Sequence, residues 1–174
     1  MIYHHLFQRA EKQKVDAAVI GAGHFGKAVV TQQRYNRYVD VRVIMDKNVE
    51  AAKSAFLDAG IDEEEIVYVD DVSEAKKRFR EGKFIYTDNL DVVMGIEAID
   101  VVCEGTGVPE AGALHAKTAI DHRKHVAMIN KETDSAIGPI LKKLAHDNGL
   151  VYTQVDGDQH GLLIAMYEWA KLAG

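Results

Sequence analysis

At 174 residues, with one cysteine and a formal net charge of −6, the chain is sized for a single domain and has no pair of thiols for an internal disulfide. A pI near 5.7 argues against a nucleic-acid or membrane-surface protein, which needs a concentrated basic face. The opening Met1-Ile-Tyr-His-His5 has neither a basic nor an apolar signal region, and no apolar run approaches a membrane span, so the expectation is a soluble, cytoplasmic globular protein.

Residues 1–14 place Ile2, Leu6, Phe7 and Ala10 at helical spacing and predict a short amphipathic helix leading into the first strand. His4 and His5 are adjacent, so on that helix they point about 100° apart and make a poor metal pair. The apolar run Val15 to Ile20 has the length of a strand. It enters a glycine-spaced turn at Gly21, Gly23 and Gly26, and Lys27-Ala-Val-Val30 continues as a helix. That order of strand, turn and helix is the context in which a G-x-G-x-x-G pattern is read as a pyrophosphate cradle. Gly21 allows the tight turn, Gly23 lets a pyrophosphate approach the main chain, and Gly26 lets helix and strand pack closely. His24 and Phe25 complete the loop, and the helix N-terminus offers N–H groups to the phosphates. The competing reading is a structural turn without a ligand.

The first helix is expected from about Phe25 to Tyr35 and the second strand from Val41 to Met45, with Asp46 at its end, twenty positions after Gly26. An acidic group there accepts both hydroxyls of an adenosine ribose, which favours NAD and repels the 2′-phosphate of NADP. Asp is also a common turn residue, and Lys47 and Asn48 beside it could accommodate a phosphate. The lean is to NAD.

Glu50 to Ala59 reads as a helix closed by Gly60. The stretch 61–83 is expected to hold a further helix, about Val72 to Glu81; its Lys76, Lys77, Arg78 and Arg80 alternate with Glu74 and Glu81 and describe a solvated face. Phe84 to Tyr86 is a short third strand, and Thr87-Asp-Asn89 caps a helix to about Gly95. Ile99 to Glu104 is a buried parallel strand by its near-continuous apolar run. Cys103, inside it, reads as core packing rather than a nucleophile. Gly105-Thr-Gly-Val-Pro109 opens a helix to about His122, Lys124 to Ile129 is the fifth strand, and a helix from Lys131 runs to about Asn148. Leu150 to Gln154 is the sixth strand, followed by Val155 to Gly161 and a last apolar helix.

Strand and helix alternate throughout, and right-handed crossovers then predict an α/β protein: a doubly wound parallel sheet of about six strands in one domain. Ligands in such sheets sit outside the carboxyl ends of the strands. Gly21 to Gly26, Asp46, Gly105 to Gly107, Asn130-Lys131 and Asp156 to His160 all fall at such ends.

The chain resembles the N-terminal, nucleotide-binding part of the homoserine dehydrogenase-like oxidoreductases, in the branch whose longer members carry a SAF domain and which includes enzymes similar to 1-deoxyxylulose 5-phosphate reductoisomerase. The likeness rests on Gly21-Ala-Gly-His-Phe-Gly26, Val101-Val-Cys-Glu-Gly-Thr-Gly107 and Lys124-His-Val-Ala-Met-Ile-Asn-Lys-Glu132. It is tightest over Ala136-Ile-Gly-Pro-Ile-Leu141 and Val151-Tyr-Thr-Gln-Val-Asp-Gly-Asp-Gln159, and covers about residues 14–172. It implies a Rossmann-type NAD(P)-binding domain over 15–174, joined by residues 1–14, and hydride transfer to or from a small polar carbonyl or alcohol. Members of the family run on into a substrate and oligomerisation region, so an excised domain or a short form is expected here. A dinucleotide-sensing module without catalysis is the alternative.

The resemblance places Asn130 and Lys131 by the nicotinamide and substrate, where an ammonium could polarise a carbonyl or assist proton transfer. The plain alternative is that Asn130 caps the next helix, although Lys in a helix's first turn opposes the dipole. Glu104 to Gly107 would shape the loop past the nicotinamide ribose, with Thr106 as a donor; ordinary turn chemistry is equally compatible. Asp156 and Asp158, with His160 two further on, fit substrate contacts, a metal cluster or a solvated Asp-Gly turn. Leu162 to Ala170 is apolar nearly all round, which predicts cover by another subunit or an exposed patch.

Overall fold

The computed structural model of the chain describes residues 14–155 and 159–173. The expected N-terminal helix lies outside the described residues, as do Asp156 and Asp158. Among the described residues the elements run β1 (Val15–Ile20), α1 (His24–Gln32), β2 (Val39–Met45), α2 (Val49–Asp58), a 3-10 turn (Glu63–Glu65), β3 (Ile66–Tyr68), α3 (Val72–Arg80), β4 (Phe84–Thr87) and α4 (Leu90–Gly95). They continue as β5 (Val101–Glu104), α5 (Pro109–Asp121), β6 (His125–Met128), α6 (Lys131–Asp147), β7 (Tyr152–Gln154) and α7 (Gln159–Ala173).

The seven strands form one sheet in the order β3-β4-β2-β1-β5-β6-β7, and every adjacent pair is parallel. The expected count of about six is short by one: the crossover between β2 and β4 contains the edge strand β3 as well as a helix. Three residues, of which only Ile66 is buried, leave too short an apolar run to stand out from a loop.

The chain leaves β1 toward β2 and later returns to β5 on the other side of β1, so the order in which strands are added reverses at the β1/β5 boundary while every strand stays parallel. Right-handed crossovers then send helices to opposite faces. On one face Ala17, Val19 and Val41 meet Val30 of α1 and Ala52, Ala55 and Phe56 of α2. On the other, Ala18, Ile20, Val43 and Ile85 meet Phe79 of α3, Val92 and Val93 of α4, Ile120 of α5 and Leu141 of α6.

Val41 and Val43 lie two apart in β2 yet serve opposite faces, which a regular strand forbids. The register explains it: Ala17 pairs with Val41 and Ala18 with Val43, so Arg42 is an extra residue, a β-bulge. Its guanidinium stacks 3.8 Å from the Phe79 ring centroid and donates to the Phe79 carbonyl at 2.9 Å. At the same end of the sheet Lys124, 1 % exposed, donates through Nζ to the carbonyls of Ile96 and Ile99 at 2.7 and 3.2 Å. It pins the end of α4 to the start of β6, and burial lowers its ammonium from 10.5 to about 8.

Candidate functional site

At the reversal the loops after β1 and β5 diverge to opposite faces and leave a cleft of about 290 Å³. Its lining includes Gly21, Gly23, Asp46, Lys47, Thr106 and His115.

The three glycines of the first loop are there for three different reasons. Gly21 has φ +101°, and a Cβ on it would stand 2.8 Å from the carbonyl carbon of Gly105, so only glycine lets the two loops touch. A Cβ on Gly26 would overlap the carbonyl oxygen of Gly21. Gly23 is neither crowded nor strained: it is the N-cap of α1 at φ −71°, with nothing within 4 Å of the Cβ it lacks. Among the described residues, protein packing does not account for a glycine there.

The start of α1 also differs from the starts of α2 to α6. Asn48, Asp71, Asn89 and Asn130 cap α2, α3, α4 and α6 with side-chain hydrogen bonds, each with an acidic residue in the first turn. α5 begins with Pro109 and Glu110. α1 has neither a side-chain cap nor an acidic first-turn residue, so no group of its own first turn offsets the partial positive charge at this end. His24 and Phe25 are exposed in that first turn, with their rings edge to face at 6.0 Å.

Asp46 shows the turn chemistry expected of it and a second bond besides. Oδ1 accepts from the Asn48 N–H at 2.8 Å as an ordinary turn bond. Oδ2 reaches back to the Ala22 N–H at 2.6 Å, which ties the end of β2 to the glycine loop and holds the carboxylate at the cleft wall.

The β5 side is a buried polar network. Glu104, 0 % exposed, accepts through Oε1 from the Thr106 hydroxyl at 2.6 Å and the Thr106 N–H at 3.3 Å. The same oxygen lies 3.1 Å from Nδ1 of His115, while Oε2 is buried with no hydrogen-bond partner. Asn130, 2 % exposed, accepts the Thr133 N–H as the cap of α6 and donates to the Thr106 hydroxyl and the Val108 carbonyl at 3.3 and 3.2 Å. Gly112 allows this closeness, because a Cβ there would overlap the Thr133 hydroxyl. Asn130 thus holds the 105–108 loop from beneath. Lys131 is exposed at the start of α6, and Gly107 is exposed at the loop's outer side.

Of the residues expected from sequence, Gly21, Gly23, Asp46, Gly105 and Thr106 line the cleft together; His24, Phe25 and Gly26 belong to the same turn of α1. His115 was not among them, and Glu104 figured only as part of a loop. A charged residue ending an otherwise apolar strand is a visible signal for Glu104; a lone His inside a helical pattern gives none. Burial pushes the Cys103 thiol up to about 11.

A second cleft, about 560 Å³, lies between α6, β7 and α7 and is lined by Asp134, Lys142, Tyr152, Gln154 and Ile164 among others. The Tyr152 hydroxyl donates to Asp134 Oδ1 at 2.8 Å and the Gln154 amide donates to Oδ2. Burial, then the Asp134 carboxylate, push the Tyr152 hydroxyl well above its usual range, so it remains a donor. Among the described residues no helix is long and apolar enough to cross a membrane.

The fold is that of the doubly wound parallel α/β sheets, with a cleft at the strand-order reversal. Among solved structures the chain shares this fold with a homoserine dehydrogenase from Thiobacillus denitrificans, at TM-score 0.61 and 21% identity over 81% of this chain and 29% of that one. It also matches GenD2 from gentamicin A biosynthesis, solved in complex with NAD, at TM-score 0.61 and 16% identity over 81% and 34% of the two chains. The UDP-N-acetylglucosamine 3-dehydrogenase GnnA from Acidithiobacillus ferrooxidans aligns at TM-score 0.56 and 18% identity, over 81% of this chain and 38% of that chain. The chain therefore spans about a third of the length of these proteins. No protein-family model matches it, and no curated protein does.

Proposed function

We propose that the chain is the nicotinamide dinucleotide-binding part of a homoserine dehydrogenase-like oxidoreductase. The observation that carries this reading is Gly23: an unstrained glycine at the uncapped start of α1, with empty space where its side chain would be, beside a carboxylate fixed by the same loop. A pyrophosphate fits against bare N–H groups there, and a ribose fits the Asp46 carboxylate, whose oxygens keep further lone pairs after their backbone bonds. The negative charge of Asp46 favours NAD over NADP, with Lys47 as a partial offset. When bound, the dinucleotide supplies or accepts the hydride; the chain's own residues bind, orient and exclude water.

Lys131, Asp156 and Asp158 are the proposed substrate-side groups, acting on a small polar carbonyl or alcohol, with Lys131 polarising the oxygen. The apolar helix α7 is the proposed assembly surface between copies of the chain. Titration with NADH, NADPH and ATP, followed by calorimetry and thermal unfolding, tests the reading. NADH at a hundred times its Kd should stabilise the chain by about 2.7 kcal/mol, with NADPH weaker. Stabilisation by ATP alone would point to a nucleotide sensor, and stabilisation by none of the three would remove the proposal.

A further inference from the structure

We infer that His115 reads the nicotinamide-riboside half of the dinucleotide as a hydrogen-bond acceptor, and that Glu104 is the positioning residue that sets it to do so. The inference rests on the dinucleotide reading above and extends it to two residues and one kind of contact. A dinucleotide that places one ribose at Asp46 and its pyrophosphate at Gly23 directs its other half across the strand-order reversal, toward the β5 tip. There the cleft is bounded by Thr106, Val108, Ala111 and His115.

Ala111 and His115 are one helical turn apart on α5, so both face the cleft. His115 is 8 % exposed, and its Nδ1 is engaged by Glu104 Oε1 at 3.1 Å. Glu104 is fixed in turn by both donors of Thr106 and by full burial. Oε1 already accepts the Thr106 N–H, so it faces Nδ1 as an acceptor; in the neutral ring the proton then sits on Nδ1 and Nε2 becomes an acceptor. An acceptor on the cleft wall selects ligand donors, which the riboside half supplies as ribose hydroxyls or as the carboxamide N–H group. A phosphate would not satisfy it. The same carboxylate organises the Thr106 loop, so one buried charge orients two ligand-facing groups from adjoining elements.

Three measurements test this. In two-bond proton–nitrogen spectra of histidine-labelled protein, His115 should show the Nδ1–H tautomer, and Glu104→Leu, which removes the acceptor, should abolish that preference; an Nε2–H tautomer in the wild-type chain would overturn the inference. His115→Phe should weaken NADH about tenfold, the worth of one lost hydrogen bond, while leaving ADP unchanged, because ADP lacks the riboside half. His115→Gln, which restores an acceptor, should recover part of the loss. Equal losses for NADH and ADP would reduce His115 to a structural support, and no loss for NADH would remove the contact; either result sinks the inference. Wild-type protein that binds neither NADH nor ADP would instead overturn the dinucleotide reading on which it stands.

Discussion

Two glycines three positions apart, Gly23 and Gly26, separate packing from binding at the scale of single residues. Alanine at Gly26 must displace the Gly21 carbonyl, so Gly26→Ala should cost roughly 1–3 kcal/mol in urea unfolding, as overpacked sites do. Alanine at Gly23 meets nothing among the described residues, so Gly23→Ala should cost only the N-cap preference for glycine over alanine, about 0.5–1 kcal/mol. It should nevertheless weaken NADH at least about tenfold, since a methyl group then occupies the place of a pyrophosphate oxygen. Calorimetry on both variants checks the pair; equal loss of stability would mean that Gly23 is a packing glycine. Asp46→Asn keeps one oxygen for either the Ala22 or the Asn48 N–H, gives up the other bond and removes the charge, so the ratio of NADPH to NADH affinity should rise. Sequence shows that three glycines sit in the loop and cannot rank them, because the neighbours that crowd Gly21 and Gly26 include a carbonyl contributed by Gly105, far along the chain.

At the scale of elements, the long apolar strands and capped helices were legible because each carries its own signal. β1 is expected and found at Val15–Ile20, and the cap at Asn130 appears both as a residue pattern and as a hydrogen bond. β3 and the Arg42 bulge were not legible: an edge strand of three residues has almost no periodicity, and a bulge is a property of two paired strands. Lys124 was likewise hidden, read as the start of a strand when it is the pin between α4 and β6. Its folded-state pKa, about 8, lies below the ordinary 10.5. Between those values the folded chain has released a proton that the unfolded chain still holds, so stability from this group rises with pH across that window and is least below about pH 8. The gain is at most roughly 3 kcal/mol. Relative to Lys124→Met, the wild-type chain should therefore become more stable from pH 8 to pH 10, as read by paired urea titrations. Comparison with the variant cancels Cys103 and Tyr152, whose raised values act in the opposite direction.

Over the whole molecule, cover is unequal. α1 and α2 shield one face beneath β1 and β2, but Val101, Cys103, His125 and Ala127 of β5 and β6 are only partly buried on that side. α7 exposes Leu163, Met166, Tyr167 and Trp169, each more than 60 % accessible, as its uniformly apolar sequence foretold. Sedimentation velocity should show association that strengthens with concentration, and Trp169→Glu should shift the chain toward monomer. A wild-type chain that stays monomeric at high concentration and binds no hydrophobic dye would remove α7 as an assembly surface. The fold class and the cleft were readable because the strand tips are marked one by one along the sequence. Which tips become neighbours was not, because pairing across the reversal is a tertiary event.

That reversal also dictates when the cleft can exist during synthesis. β1 and β5 are held together by contacts such as the Asp16 N–H to the Asp100 carboxylate, 84 positions apart, and such non-local closure is slow relative to local helix and hairpin formation. A nascent chain stalled before Val101 has the glycine loop and Asp46 but no opposite wall, so it should not retain NADH. Ligand capture by ribosome-bound intermediates of increasing length would then time the joining of the two halves.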